Sequence, residues 1–500
     1  EGEGEGEGEG KAEGKQREKS FKAVTEKEIG DCCVKYLIVG GGTAAWSATQ
    51  AIYARDPDAT VMILTEENLP PYNRTPLSKE LWRINNPSVP ADSTSYPDEH
   101  AGSNRDIVYE YTTPSPHAKP LILLGATATS IDPDWKRVTT AAGTQITYQK
   151  LLLATGGTPR LADLVNPRLL SHPLISPHVS TFRTAADFQN LLATLSHPDT
   201  RHVTILGSGF LGTELANAIA QTARAKGVAI THVFPEPGPL FRVLPRYLSE
   251  HCAKTMKKNG LDVRPSSVVT GVTPASENGY AIALELSSYA TELLETDHVV
   301  VAVGIEPRTE VARAAGLELD SKLGGIKVNS RLEADFGIYA AGDVASFWDR
   351  ALGRRRVEHW DHAVVSGRIA GDNMAGGSSR YGFQSMFWGE LSVSKAKFDA
   401  VGVVDSTLRT VGFWNIGDAP DSKFSTSSHD FKEGVVWYIR GGIIVGALLW
   451  NMQGKGIKKA RELIGSKFAV QSTQTLGEQV PLPPSDFRLV LDEEGVASEE

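Results

Sequence analysis

The sequence predicts an α/β protein with two Rossmann-like dinucleotide-binding folds and a C-terminal α+β domain, and three observations carry that expectation. Two glycine-rich turns, Gly40-Gly41-Gly42-Thr43-Ala44-Ala45 and Gly207-Ser208-Gly209-Phe210-Leu211-Gly212, each follow an apolar run and open a helical pattern. After each, the next apolar run is followed by an acidic residue, Glu66 in the first case and Glu236 in the second. At 500 residues the chain is also too long for a single hydrophobic core.

The elements follow in order. Residues 1–33 read as a disordered tail, because a Glu-Gly repeat followed by Lys, Glu and Gln has little apolar surface to bury. Val34–Val39 reads as a buried strand, Thr43–Arg55 as a helix and Val61–Thr65 as a second buried strand. Pro, Ser and Asn crowd residues 85–119, which reads as an extended excursion or loop. A second β-α-β unit runs from His202 to about Phe234. From about Tyr381 the chain turns aromatic, with strand-like runs Val435–Arg440 and Ile443–Trp450 and no phosphate loop. The last residues, 491–500, form an acidic tail.

In each turn the first glycine permits a tight bend and the next-but-one lets a pyrophosphate approach the backbone. Ala45 and Gly212 allow close helix–strand packing. The helix N-terminus then offers free N–H groups and a partial positive charge. Glu66 is placed to hold a ribose hydroxyl. Glu236 would accept from a ribose 2′-OH and repel a 2′-phosphate, which favours NADH over NADPH, with Arg242 close by as a counter-charge. Two dinucleotide sites on one chain imply hydride transfer between a nicotinamide donor and a flavin acceptor, with FAD and NAD as cofactors.

Composition excludes other classes. A net charge of −9 argues against nucleic acid as the main partner, since phosphate binding needs a basic face. Arg354-Arg355-Arg356 and Lys455 to Arg461 read as solvated faces. The three cysteines, Cys32, Cys33 and Cys252, form no CxxC pair, so neither a disulfide scaffold nor a dithiol centre is expected. The longest apolar stretch, Gly441–Met452, falls short of the ~20 residues a membrane-spanning helix needs. A start at Glu1 rather than Met reads as a processed or truncated form.

Further segments resemble the glutathione-reductase-like flavoproteins. Leu153-Ala154-Thr155-Gly156-Gly157-Thr158-Pro159 is similar to the link between the nucleotide domains, and Val301-Ala302-Val303-Gly304-Ile305-Glu306-Pro307 to the return connection. Ile338-Tyr339-Ala340-Ala341-Gly342-Asp343 resembles the late FAD motif. Arg74-Thr75-Pro76-Leu77-Ser78-Lys79-Glu80-Leu81-Trp82, Gly353 to His359, Asp361 to Arg368 and Gln384 to Trp388 narrow the resemblance to the mitochondrial apoptosis-inducing-factor family over roughly residues 34–465.

That resemblance implies an FAD domain (34–180 and 299–380) interrupted by an NADH domain (181–298) and followed by a C-terminal domain (381–490). It implies FAD contacts from Gly40, Gly41, Gly42, Thr43, Ala44, Glu66, Glu67, Arg74, Lys79, Arg183, Asp343 and His359. It places Ser208, Gly209, Phe210, Leu211, Glu236, Arg242, Gly304, Glu358, Trp388, Asp399 and Asn451 along the nicotinamide nucleotide's path. Lys79, held by Glu214, would stabilise the reduced flavin, with Phe210, His359 and Trp388 completing the catalytic group. From the residues alone, Lys79 reads as a solvated helix residue and Phe210 equally as inter-domain packing. Trp388 reads as core and His359 as a structural histidine.

The implied activity is slow NADH:acceptor oxidoreduction. A reduced flavin–NAD charge-transfer complex would switch homodimerisation and partner binding in the mitochondrial intermembrane space. An import or oxidative-folding oxidoreductase is the implied partner, and respiratory-chain maintenance and caspase-independent cell death are the implied roles. The alternative is a reductase passing electrons from NADH to an iron-sulfur protein or quinone. Three departures from the family pattern stand out. One is His359-Trp360 in place of two histidines, and another is a shorter hairpin region after Trp82 lacking the family's Trp. The third is a polar insertion reduced to about Asp418–Lys432. At the family's dimer interface Glu318 and Lys327 fit, while Asp335 stands where a basic residue is expected.

Overall fold

The computed structural model describes residues 20–83, 95–97, 104–112, 118–161, 172–275, 279–288, 291–391, 396–415, 431–479 and 488–491. The first glycine turn leaves a parallel sheet whose strands run in the order Lys22–Val24, Leu121–Leu123, Val61–Leu64, Cys32–Val39, Gln145–Leu153 and Ile338–Ala340, with Glu333–Asp335 antiparallel at the edge. Its inner strands are apolar on both faces, as a sheet covered on both sides requires. Helices Thr43–Arg55 and Trp360–Met374 lie against each other with almost no space between them. A Cβ on Gly367 would stand 2.4 Å from the Ala44 carbonyl oxygen, and one on Gly371 2.3 Å from that of Ala48. Only glycine lets the late helix reach the first turn this closely.

Between Leu153 and Ile338 the chain builds a second parallel sheet in the order Val179–Thr181, His298–Val301, His202–Leu206, Ala229–Val233, Asp262–Arg264. The antiparallel meander Val268–Pro274, Ile282–Ser287, Thr291–Thr296 shares an apolar cluster with it. The chain enters this sheet at the edge strand starting at Val179, just after the turn Ser176–His178, and leaves it from the neighbouring strand ending at Val301. Two short antiparallel strands, Gly157–Pro159 and Ile305–Pro307, pair the outgoing and returning crossings. The third unit is a six-stranded antiparallel sheet, Met386–Leu391, Ala396–Gly402, Ile443–Trp450, Glu433–Arg440, Arg409–Asn415, Arg488–Leu491, with helix Ile457–Gly465 packed on it.

Two expectations change. The tail reading fails for residues 20–33, where Lys22–Val24 pairs in parallel with Leu121–Leu123 and Val24 is buried. Phe21, Val24 and Ile29 supply the apolar contacts that the Glu-Gly repeat lacks, and Thr25 with Glu28 forms a capping box on the short helix Glu26–Ile29. Residues 1–19 lie outside the described residues, as do 416–430, most of the reduced insertion, and 492–500 of the acidic tail. The excursion, too, is partly pinned. Ser95–Pro97 pairs with Asn104–Asp106, and the amides of Asn73 and Tyr109 donate to the carbonyls of Ile107 (2.8 Å) and Pro71 (3.0 Å).

Candidate functional site

The two glycine turns are built alike. Gly40 and Gly207 both sit at φ +117°, a conformation open to glycine. A Cβ would lie 2.1 Å from the Ala154 carbonyl oxygen at Gly40 and 2.4 Å from that of Ala302 at Gly207. Each turn therefore passes directly over the end of a neighbouring strand. Gly42 and Gly209 then cap helices Thr43–Arg55 and Phe210–Ala225, and a Cβ on either would meet no protein atom within 4 Å. The first-turn amides of each helix stay free for an anion in that open space.

Gly40, Gly41, Gly42, Thr43 and Ala44 form one wall of a cleft of about 840 Å³, a size suited to a large cofactor. Also on its lining are Glu66, Glu67, Arg74, Lys79, Arg183, Asp343, Glu358 and His359. Phe210, Leu211 and Glu214 join them from the second glycine turn's helix. The start of the second nucleotide fold thus opens into the cleft of the first.

Charges around the cleft are paired and so oriented. Lys79 Nζ lies 2.6 Å from Glu214 Oε2, with side chains only 9% and 7% exposed, and Ser78 Oγ donates to the same carboxylate at 3.1 Å. Arg74 meets Glu67 at 2.5 Å, Arg183 meets Asp343 at 3.2 Å and Arg356 meets Glu358 at 2.6 Å. Burial raises the pKa of Glu358 despite Arg356 beside it. Glu66 is held by Arg308, which also donates to Thr158 Oγ1 at 2.7 Å. Arg308 escaped the sequence reading, although it directly follows the return strand Ile305–Pro307.

His359 is buried, and its pKa is pushed down to about 3 by that burial and by the Arg355 charge, so the imidazole is neutral near pH 7. Its ring stacks on Phe387 at 4.4 Å, and Phe210 stands edge-on to both, 6.2 Å from His359 and 5.1 Å from Phe387. Phe210 therefore lines the cleft and also packs against the C-terminal sheet.

The remaining candidates lie off this cleft. Ser208 is buried, its carbonyl accepting from Leu240 N at 2.7 Å and Thr213 Oγ1 at 3.0 Å. Glu236 Oε2 is buried with no hydrogen-bond partner, while its other oxygen is 3.8 Å from the Arg242 Nε; the Arg242 side chain is 88% exposed. Gly304, at φ +107°, has open space at its Cβ position. Trp388 stands one ring behind the cleft, 5.8 Å from Trp360, and faces Asp399 across the strand pair. Burial raises the pKa of Asp399, whose carboxylate accepts from Gly454 N at 2.9 Å. Asn451 sits in the left-handed region, and its side-chain amide accepts from Lys397 N at 2.8 Å and donates to Lys432 O at 2.7 Å. Both of those contacts are to backbone. Glu318 and Lys327 pair within the chain at 2.6 Å.

The open turns, the arginine-lined cleft and the unpartnered Glu236 oxygen fit two dinucleotides. A fold with two such turns meeting at one cleft defines an FAD-dependent NAD(P)H oxidoreductase. Residues 34–367 match the pyridine nucleotide-disulphide oxidoreductase family, and residues 370–425 match the apoptosis-inducing factor, mitochondrion-associated, C-terminal family. The chain is 36% identical over 448 residues to "Apoptosis-inducing factor 1, mitochondrial" of Dictyostelium discoideum, covering 88% of this chain and 80% of that one. To "Putative apoptosis-inducing factor 1, mitochondrial" of Drosophila melanogaster it is 35% identical over 477 residues, 86% of this chain but only 63% of the relative's length. The ferredoxin reductase for the CYP199A2 system from Rhodopseudomonas palustris superposes with a TM-score of 0.67 at 25% identity, covering 87% of this chain and 95% of that one. The chain belongs to the apoptosis-inducing-factor family of pyridine nucleotide-disulphide oxidoreductases, with FAD and NAD(H) as its cofactors. Among the described residues no helix is long and apolar enough to cross a membrane, and no cluster of His, Cys, Asp and Glu could hold a metal.

Proposed function

We propose that this chain oxidises NADH slowly, holds the reduced flavin with NAD in a charge-transfer complex, and by that change of state switches its dimerisation and partner binding in the mitochondrial intermembrane space. Segments 34–180 and 299–380 serve FAD, 181–298 serves NADH and 381–490 closes the site. The observation that carries this reading is Phe210, which begins the second glycine turn's helix, lines the first turn's cleft and meets the His359–Phe387 stack. Aromatic rings offer stacking surface to a flat nicotinamide. Lys79, fixed by Glu214, supplies positive charge in a water-poor pocket, where it acts most strongly.

Anaerobic mixing with NADH followed by air exposure tests the proposal. A bleached flavin with a long-wavelength band that outlasts the admission of air is the expected result. Prompt reoxidation by an added one-electron acceptor, with no such band, replaces this reading with the electron-transfer reductase.

Glu236 sets the nucleotide preference. Its unpartnered buried oxygen fits a ribose hydroxyl, and its charge opposes a 2′-phosphate. Glu236→Ala is expected to weaken discrimination against NADPH by about 1–3 kcal/mol. Equal reduction rates of the wild type with NADH and NADPH would refute the assignment.

NADH is expected to drive self-association through the face carrying Gly316–Val328. The Glu318–Lys327 pair is exposed, and such pairs contribute only ~0–1 kcal/mol. Most of the dimer's stability must therefore come from buried apolar area. Leu323 (40% exposed) lies in the Gly316–Val328 segment, Trp348 (53%) on the strand paired with its end, and Phe336 (79%) beside Asp335. Glu318→Ala should weaken the dimer only in part, as sedimentation with and without NADH can measure. A monomer in both conditions at high concentration removes the switch.

A further inference from the structure

We infer that Tyr109 is a positioning residue of the flavin site, whose hydroxyl relays a hydrogen bond from Trp360 to Thr43 and so fixes the Thr43 hydroxyl as a donor into the cleft. The inference rests on the reading that the first glycine turn carries the cofactor's pyrophosphate.

The argument is one of proton direction. Trp360 Nε1, which can only donate, lies 2.9 Å from the Tyr109 phenolic oxygen. Tyr109 has a single proton, and its remaining hydroxyl partner among the described residues is Thr43 Oγ1 at 3.0 Å. Burial raises the phenol's pKa, so that proton is present at neutral pH. With Trp360 donating to the phenolic oxygen, Tyr109 directs its own proton to Thr43, and the proton of Thr43 is left to point elsewhere. Thr43 is the first residue of the helix after Gly42, and it lines the cleft. Its hydroxyl is thereby turned toward the space in which the free amides of the helix N-terminus await an anion.

The surroundings hold the relay rigid. The Tyr109 ring stacks on Trp46 at 4.3 Å and 12°, on the same helix as Thr43. Its backbone amide donates to the Pro71 carbonyl at 3.0 Å, three residues before Arg74. Trp360 opens the helix that packs on Ala44 and Ala48, so one phenol joins the N-termini of both helices. The family resemblance gives histidine at position 360, and the indole found there supplies the donor that sets the direction.

Flavin released on serial dilution of the holoprotein, read by the recovery of free-flavin fluorescence, tests this. Tyr109→Phe keeps the stack on Trp46 and removes only the hydroxyl. It is expected to raise the flavin dissociation constant about three- to tenfold, the range of one hydrogen bond. Thr43→Val is expected to lose at least as much and Thr43→Ser to stay near wild type. The Tyr109→Phe/Thr43→Val double variant should be no weaker than Thr43→Val alone, a coupling that general loosening would not give. Wild-type retention by Tyr109→Phe, or losses that multiply in the double variant, overturns the relay while a weakened Thr43→Val leaves the loop assignment standing. Wild-type retention by Thr43→Val likewise overturns the relay, whereas the loop assignment falls only if Gly40→Ala also keeps its flavin.

Discussion

A Gly207→Ala protein is expected to purify yellow, with FAD bound, and to resist bleaching by NADH while dithionite still bleaches it. Gly207 adopts φ +117°, where a non-glycine residue costs about 1–3 kcal/mol. The new Cβ would also stand 2.4 Å from the Ala302 carbonyl oxygen, and both residues directly follow paired parallel strands that hold their backbone in place. Overpacking of that kind adds roughly 1–3 kcal/mol more. Moving the turn outward relieves the clash, but it carries Gly209 and the first amides of Phe210–Ala225 away from the phosphate position. Together these predict NADH affinity lower by about thirtyfold or more, read from the concentration dependence of flavin reduction in stopped flow. The mirror variant Gly40→Ala, with its Cβ 2.1 Å from the Ala154 carbonyl oxygen, should instead release the flavin. Wild-type dependence on NADH in Gly207→Ala would mean that the second turn holds no nucleotide.

Those two turns were legible because everything they need is local: a buried strand, glycines at fixed spacing and a helix. The partnerships that complete the cleft are not local. Glu214 reaches Lys79 from the second nucleotide fold, and Arg308 reaches Glu66 from the far side of it. Neither pairing leaves a periodicity in the sequence, and the Lys79–Glu214 contact was anticipated only through the family resemblance. In residues 20–33 the apolar Phe21, Val24 and Ile29 are too few and too widely spaced to stand out beside the Glu-Gly repeat. Tyr109 was hidden in the same way among the Pro, Ser and Asn of the excursion. The place of Asn451 on the nicotinamide path is implied by the family resemblance alone, and the use of its amide to secure two backbone groups at a left-handed residue needs the fold to be seen.

Lys79 is the residue whose loss should cost most, and two separable reasons predict it. Lys79→Met leaves the Glu214 carboxylate 7% exposed with Ser78 Oγ as its remaining neutral donor. Removing one partner of a buried pair destabilises a fold by about 3–5 kcal/mol, since the other charge stays desolvated and unpaired. Urea unfolding reads that loss. The second reason is electrostatic: a fixed cation facing the cleft favours the arrival of an electron pair there, and withdrawing such a group typically slows the step by about 10²–10³. Stopped-flow reduction by NADH reads this one. The double variant Lys79→Met/Glu214→Gln separates the two, because a neutral amide beside Ser78 no longer leaves a charge buried. It is expected to regain most of the lost stability and none of the lost reduction rate. If the double variant recovers the rate as well, Lys79 serves only to neutralise Glu214, and the positive charge assigned to the chemistry must come from Arg74, Arg183 or Arg308, which also line the cleft.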